Sequence, residues 1–182
     1  MGLYLYGSLV WGDFDREISD IDLLAVTSTG INNKEFDALK IMHDEFVVTH
    51  KEWEDRIEVA YVSQQALKTF KDRNSQIAVV SPGEPFHFKD AGKDWLINWY
   101  LIREKGVTLF GPSPQSIIPL ISKEEFIQGV KDQVIKWREW VTHEKHSRKY
   151  QFYLYPSYAG LSRFNQDQSS LEGYMAACLP TR

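Results

Sequence analysis

The sequence predicts an α/β fold: a small, mixed, twisted sheet flanked by helices, followed by part of a helical domain. Three observations carry this expectation. The apolar run Leu3-Tyr4-Leu5-Tyr6 stops at Gly7-Ser8, as a buried strand stops at a turn. Further strand patterns, Leu23-Leu24-Ala25-Val26 and Ile57-Glu58-Val59-Ala60-Tyr61-Val62, alternate with a stretch of helical period. Beyond Pro112–Pro119 the pattern changes to a long amphipathic helix.

Thr27-Ser28-Thr29-Gly30 reads as a loop after the second strand. Asn32 then caps a helix, with Glu35 three residues on, and Phe36, Leu39, His43 and Phe46 share one face. His43 reads as a packed or partly exposed histidine rather than a catalytic one. In the strand over 56–62, Ile57, Val59 and Tyr61 lie on one face and Glu58, Ala60 and Val62 on the other. Ser63 caps a short helix through Phe70. Residues 71–92 read as irregular, with Ser81-Pro82-Gly83 and Pro85 as breakers, and no role falls to Phe86, His87 or Phe88. Asp94 caps a helix bearing Leu96, Trp99, Tyr100 and Arg103, and Gly106 ends it. Val107-Thr108-Leu109-Phe110 is a short strand closed by Gly111-Pro112. Ser122-Lys123-Glu124-Glu125 is a capping box for a helix whose apolar face runs Phe126, Val130, Val134, Trp137, Val141. Residues 159–182 have no helical period and little to bury. The expected division is a first domain over 1–111, a linker over 112–119, a partial helical domain over 120–158 and a tail over 159–182.

Composition narrows the function. The chain has 182 residues, 43% of them hydrophobic, enough for one large core or two small ones. A formal charge of −4 offers no basic footprint for duplex nucleic acid. The single cysteine, Cys178, excludes an intrachain disulfide and fits a reducing, cytoplasmic setting. No apolar run approaches the roughly 20 residues of a membrane span, and no signal peptide is read at the N-terminus.

The chemistry is concentrated between Gly7 and Glu58. Glycine lets a backbone approach a ligand closely, and a strand, small-residue turn and helical turn leave N–H groups free for an anion. Ser19-Asp20-Ile21-Asp22-Leu23 follows. Spaced i, i+2 on a strand, Asp20 and Asp22 project together, and two carboxylates on one face repel unless a cation lies between them. Mg²⁺ held by carboxylates and substrate phosphates fits such a pair. Glu58, flanked by Ile57 and Val59, reads either as a charge that protects an edge strand or as a third carboxylate beside the pair.

The strand, Gly7-Ser8, spacer and Ser19-Asp20-Ile21-Asp22 resemble the signature of the DNA polymerase β-like nucleotidyltransferase superfamily. Ile57-Glu58-Val59 and the run from Asp94 through Gly111-Pro112 are similar to segments of aminoglycoside adenylyltransferases of the streptomycin/spectinomycin type. The resemblance covers about residues 3–142. It implies the nucleotidyltransferase fold, with Mg²⁺ (one or two ions) on Asp20 and Asp22, Glu58 as an optional further ligand, and Gly7, Ser8 and Ser19 on the nucleotide. It implies AMP transfer from ATP to a hydroxyl of a small cationic aminoglycoside or aminocyclitol antibiotic, with loss of pyrophosphate, an antibiotic-resistance activity. Glu58 would then be the general base or a ligand of the second metal. Two alternatives stay open: a minimal nucleotidyltransferase that adenylylates a protein or RNA, as toxin–antitoxin relatives do, and a non-catalytic nucleotide-binding remnant. Family members carry a helix before the first strand and a fuller bundle at the end, so the resemblance also implies truncation at both ends. The apolar face of the 122–141 helix would then pack back on the first domain or form a homodimer.

Overall fold

The computed structural model describes residues 1–143, with side chains through Lys136. Two compact units are present, 1–122 and 123 onward. In the first, a six-stranded mixed sheet has the order β5-β4-β3-β2-β1-β6. Its strands are β1 (Gly2–Tyr6), β2 (Ile21–Thr27), β3 (Ile57–Ser63), β4 (Ser75–Ser81), β5 (Glu84–Ala91) and β6 (Val107–Phe110). Its helices are α1 (Ser8–Trp11), α2 (Asn33–Thr49), α3 (Gln64–Thr69), α4 (Leu96–Lys105) and α5 (Pro114–Ile117). The second unit begins with α6 (Lys123–His143).

The only parallel pair among the described residues, β2 with β3, sits mid-sheet, and α2 provides the crossover such a pair needs. The α2 cap is the expected capping box: Asn32 accepts from Glu35 N, and Glu35 accepts from Asn32 N. Phe36, Leu39 and His43 turn toward the sheet, where Phe36 stacks on Phe86 and Phe88 and His43 Nε2 lies 2.8 Å from Tyr61 Oη. Phe46, expected on that face, is exposed. The packed reading of His43 therefore holds, and Phe86 and Phe88 are sheet-to-helix packing.

The other face of the sheet holds the main core. Tyr4, Leu24, Val26, Ala60, Val62, Ile77 and Val79 pack against Leu67 and Phe70 of the α3 region and Trp95, Trp99 and Ile102 at α4. Ser63 caps α3 by accepting from Ala66 N, as expected.

Two further expectations fail. Residues 71–92 are not an irregular loop; they contain the antiparallel hairpin β4–β5. Pro82-Gly83 is its two-residue turn, with Gly83 at φ +77°, and Pro85 falls at the register shift of the sheet's edge strand, a place that tolerates proline. Asp94 does not cap α4 either. It lies inside a 3₁₀ turn, Lys93–Trp95, that runs directly into the helix, and its carboxylate accepts from Gly92 N.

Residues 112–122 complete the first unit. Pro112 O accepts from Tyr4 Oη at 2.8 Å, and Ile117, Ile118 and Ile121 join the main core. In α6, Phe126, Val130 and Val134 are buried, as its periodicity predicts. Side chains of Trp137 and Val141, the rest of the domain expected to 158, and the tail over 159–182 lie outside the described residues.

Ile118 is 1% exposed. Ile118→Ala is expected to lower the unfolding free energy in urea by about 2–5 kcal/mol, the range for emptying a packed aliphatic site. A flexible linker residue would lose almost nothing, so an unchanged denaturation midpoint would contradict this packing.

Candidate active site

Strand register builds the site. Tyr6 is opposite Asp22 across β1 and β2, and Asp22 is opposite Glu58 across β2 and β3. Their side chains therefore share the face that carries the main core, at the end where that core stops. Asp20 sits one residue before β2. One carboxylate oxygen each from Asp20, Asp22 and Glu58 lies within 4.8 Å of the others. The edge-charge reading of Glu58 is overturned: β3 is a central strand, and its Glu58 faces the two aspartates.

The approach to Asp20 is braced. Ser19 Oγ accepts from Asp15 N at 2.9 Å, and Ser19 N donates to Asp15 O at 2.8 Å. Arg56 donates to Ser19 O through Nη2 at 2.6 Å and Nε at 3.2 Å, while Ile21 N donates to Arg56 O. The start of β2 is thus tied to the residue just ahead of β3.

Gly7 closes the site on the other side. Its φ is +72°, a conformation open to glycine, and a Cβ there would overlap Asp22 Oδ2. Ser8 follows at the first position of α1, and its buried hydroxyl has no hydrogen-bond partner among the described residues. A buried hydroxyl left unpaired is costly unless something meets it.

The electrostatics are strained. Burial, then the charges of Asp20 and Glu58, push the Asp22 carboxyl up to about 8. Burial also raises Asp20, against a backbone hydrogen bond and the Arg56 charge that lower it. Glu58 is raised by burial; the hydrogen bond from Ser81 Oγ, 2.9 Å from its Oε2, and the charge of Lys89 oppose the rise. Tyr6 Oη, 3.5 Å from Glu58 Oε1, is held well above the usual phenol range by burial and by these three carboxylates. Among the described residues no Lys or Arg forms an ion pair with any of the three acids.

These residues fit a divalent cation and a phosphate chain. Three converging carboxylates with no ion-paired cation among the described residues supply hard oxygen ligands, the bare backbone of Gly7 lets Asp22 sit tight against the turn, and the unpaired Ser8 hydroxyl next to it is a donor for an anion. Cluster geometry alone is common without a metal, so the fit rests on all three features together.

No family model matches the chain, and no curated protein matches it. Its architecture does match a solved structure: spectinomycin adenyltransferase AAD(9) from Enterococcus faecialis, determined with ATP and spectinomycin. The TM-score is 0.57 at 12% identity, over 100% of this chain and 83% of that one. The chain has the nucleotidyltransferase fold. At that identity the likeness speaks for the fold, and the chemistry must come from the residues themselves.

Asp20, Asp22 and Glu58 come together with Gly7 against Asp22 and Ser8 next along the chain, while Ser19 turns its hydroxyl to Asp15 N. Sequence reasoning missed Tyr6, Arg56 and Ser81. Tyr6 had a local signal, being in step with Tyr4 on one strand face. Arg56 and Ser81 had none, because their roles depend on contacts 37 and 23 residues away.

The raised Asp22 carboxyl gives a signed pH dependence. A group whose folded pKa lies above its unfolded one favours the folded state fully only below the unfolded value, and that contribution is lost as pH rises to the folded value. For Asp22 the window runs from 3.8 to about 8. With divalent ions chelated, Asp22→Asn should melt several degrees above the wild type at about pH 9 and converge with it near about pH 4. A variant no more stable than the wild type at the higher pH would show that Asp22 carries no such strain.

Proposed function

We propose that the chain is a nucleotidyltransferase that moves AMP from Mg²⁺-bound ATP to a hydroxyl of an aminoglycoside or aminocyclitol antibiotic. The observation that carries the reading is the convergence of Asp20, Asp22 and Glu58 beside Gly7 and Ser8. A fold shared with an adenyltransferase solved with ATP and spectinomycin supports it.

In this reading Asp20 and Asp22 hold Mg²⁺, with Glu58 able to share it. When bound, the ion neutralises charge on the triphosphate. Gly7 brings its backbone close to the outer phosphates, and Ser8 donates its unpaired hydroxyl to one of their oxygens. Ser19, whose Oγ already accepts from Asp15 N, has its hydroxyl proton left to donate on the nucleotide side. The acceptor oxygen forms a bond to the α-phosphorus as the bond to the bridging β-phosphate oxygen breaks, and pyrophosphate leaves. The hydroxyl proton passes to Glu58. A carboxylate raised by burial is a better base than one in water, which matches that task. Such transfer is mostly positioning and charge neutralisation, which the paired ends of β1, β2 and β3 provide. A net charge of −4 with an acidic cluster draws a cationic acceptor.

The test is to incubate the chain with Mg²⁺, ATP and a panel that includes spectinomycin and streptomycin, and to look for adenylylated antibiotic by mass. Asp20→Asn and Asp22→Asn are expected to abolish product. Glu58→Gln is expected to lower turnover by about 10²–10⁴-fold, as loss of a general base does, with little change in nucleotide affinity. Nucleotide binding with no product from any acceptor would contradict the antibiotic reading, and near-normal turnover by Glu58→Gln would remove Glu58 from the base role.

A further inference from the structure

We infer that Ser81, at the end of β4, is the positioning residue that aims Glu58. The inference rests on Glu58 acting as base in the reading above, and it assigns work to the hairpin that follows β3.

Glu58 is the member of the acidic trio with two hydroxyl neighbours. Ser81 Oγ lies 2.9 Å from its Oε2, a full-strength donor distance to a carboxylate. Tyr6 Oη lies 3.5 Å from Oε1, at the limit of a hydrogen bond. The two oxygens are therefore unequal: Oε2 is held by Ser81, and Oε1 is the freer one to receive a proton. A glutamate has three side-chain torsions, and burial alone does not choose among them. One short contact at the carboxyl end does.

The hairpin is built to put Ser81 there. The β4–β5 register shifts between Val79 and Ser81, where Ser81 pairs with Glu84 across the Pro82-Gly83 turn. Gly83 N donates to the carboxylate of Asp55, in the loop just ahead of β3. Asp55 itself adopts φ +57°, an uncommon conformation for a residue with a side chain. The turn carrying Ser81 is thus moored to the loop that leads into the strand carrying Glu58. Nothing else among the described residues donates to Oε2 at hydrogen-bond distance, so Ser81 has no stand-in.

The decisive comparison uses Ser81→Ala, which removes the donor, and Ser81→Thr, which keeps a hydroxyl on a residue that suits a strand. The first readout needs no activity: the carboxyl carbon signal of Glu58 in protein labelled with ¹³C at glutamate carboxyls, assigned by its disappearance in Glu58→Gln. It should move in Ser81→Ala and stay near its wild-type position in Ser81→Thr. The second is turnover. Ser81→Ala should lower kcat by roughly 10- to 100-fold, the equivalent of one hydrogen bond to a charged group, with KM for nucleotide nearly unchanged, and Ser81→Thr should recover most of the loss. Melting curves for both variants establish that they are folded. An unmoved Glu58 signal in Ser81→Ala overturns the inference, as does a loss of kcat equal in the two variants. If the wild type transfers nothing, the proposed function fails, and the carboxyl signal still decides whether Ser81 holds Glu58.

Discussion

Mutual repulsion among three half-buried carboxylates is the constraint on which the rest of this structure depends. Asp20, Asp22 and Glu58 bring oxygens within 4.8 Å of one another at the meeting point of three strands. Burial first, and the charges of Asp20 and Glu58 after it, disfavour ionisation of Asp22, and its carboxyl at about 8 expresses this. A fold selected for stability alone would replace one of them. Retaining all three makes sense where a divalent cation supplies the missing charge. The same strain then becomes binding free energy, because an ion that relieves it binds the more tightly.

The surrounding sheet keeps the trio together when it would otherwise spread. Parallel pairing of β2 with β3 fixes Asp22 against Glu58 through seven consecutive register partners, so neither can move without its strand. Arg56 grips the carbonyl of Ser19 and by its charge offsets part of the rise that burial imposes on Asp20, while making no direct pair with any of the acids. Its cation is close enough to moderate the repulsion and too far to fill the site. Gly7 has no side chain because Asp22 Oδ2 occupies the space. Behind this corner the core of Leu24, Val26, Ala60 and Val62 continues the same strand faces in apolar residues, which anchors the acidic ends.

What was legible beforehand was whatever local periodicity can encode. The i, i+2 step of Asp20 and Asp22 and the face shared by Glu58, Ala60 and Val62 follow from strand geometry, and the Asn32–Glu35 box follows from helix capping. The hairpin over 75–91 was hidden because Pro82-Gly83 and Pro85 read as breakers, although proline then glycine at positive φ is itself the signature of a two-residue turn. Pro85 is tolerated because β5 is an edge strand, and edge position is a property of the whole sheet. The contacts of Arg56 with Ser19 and of Ser81 with Glu58 join residues far apart in the chain, so no window of sequence contains them. Burial of Ile118 and Ile121 was likewise invisible, since a short segment after Pro112 has too few residues to display a period.

The most direct measurement is calorimetric titration of Mg²⁺ into the chain at about pH 7, in two buffers of different ionisation enthalpy. With Asp22 near 8, most molecules carry a proton in the site at that pH, so binding should release close to one proton and the observed heat should differ between the buffers accordingly. The same titration of Asp22→Asn should show weaker binding and little proton release. Absence of binding, or binding with the same heat in both buffers, would contradict a cation site held open by the repulsion of Asp20, Asp22 and Glu58.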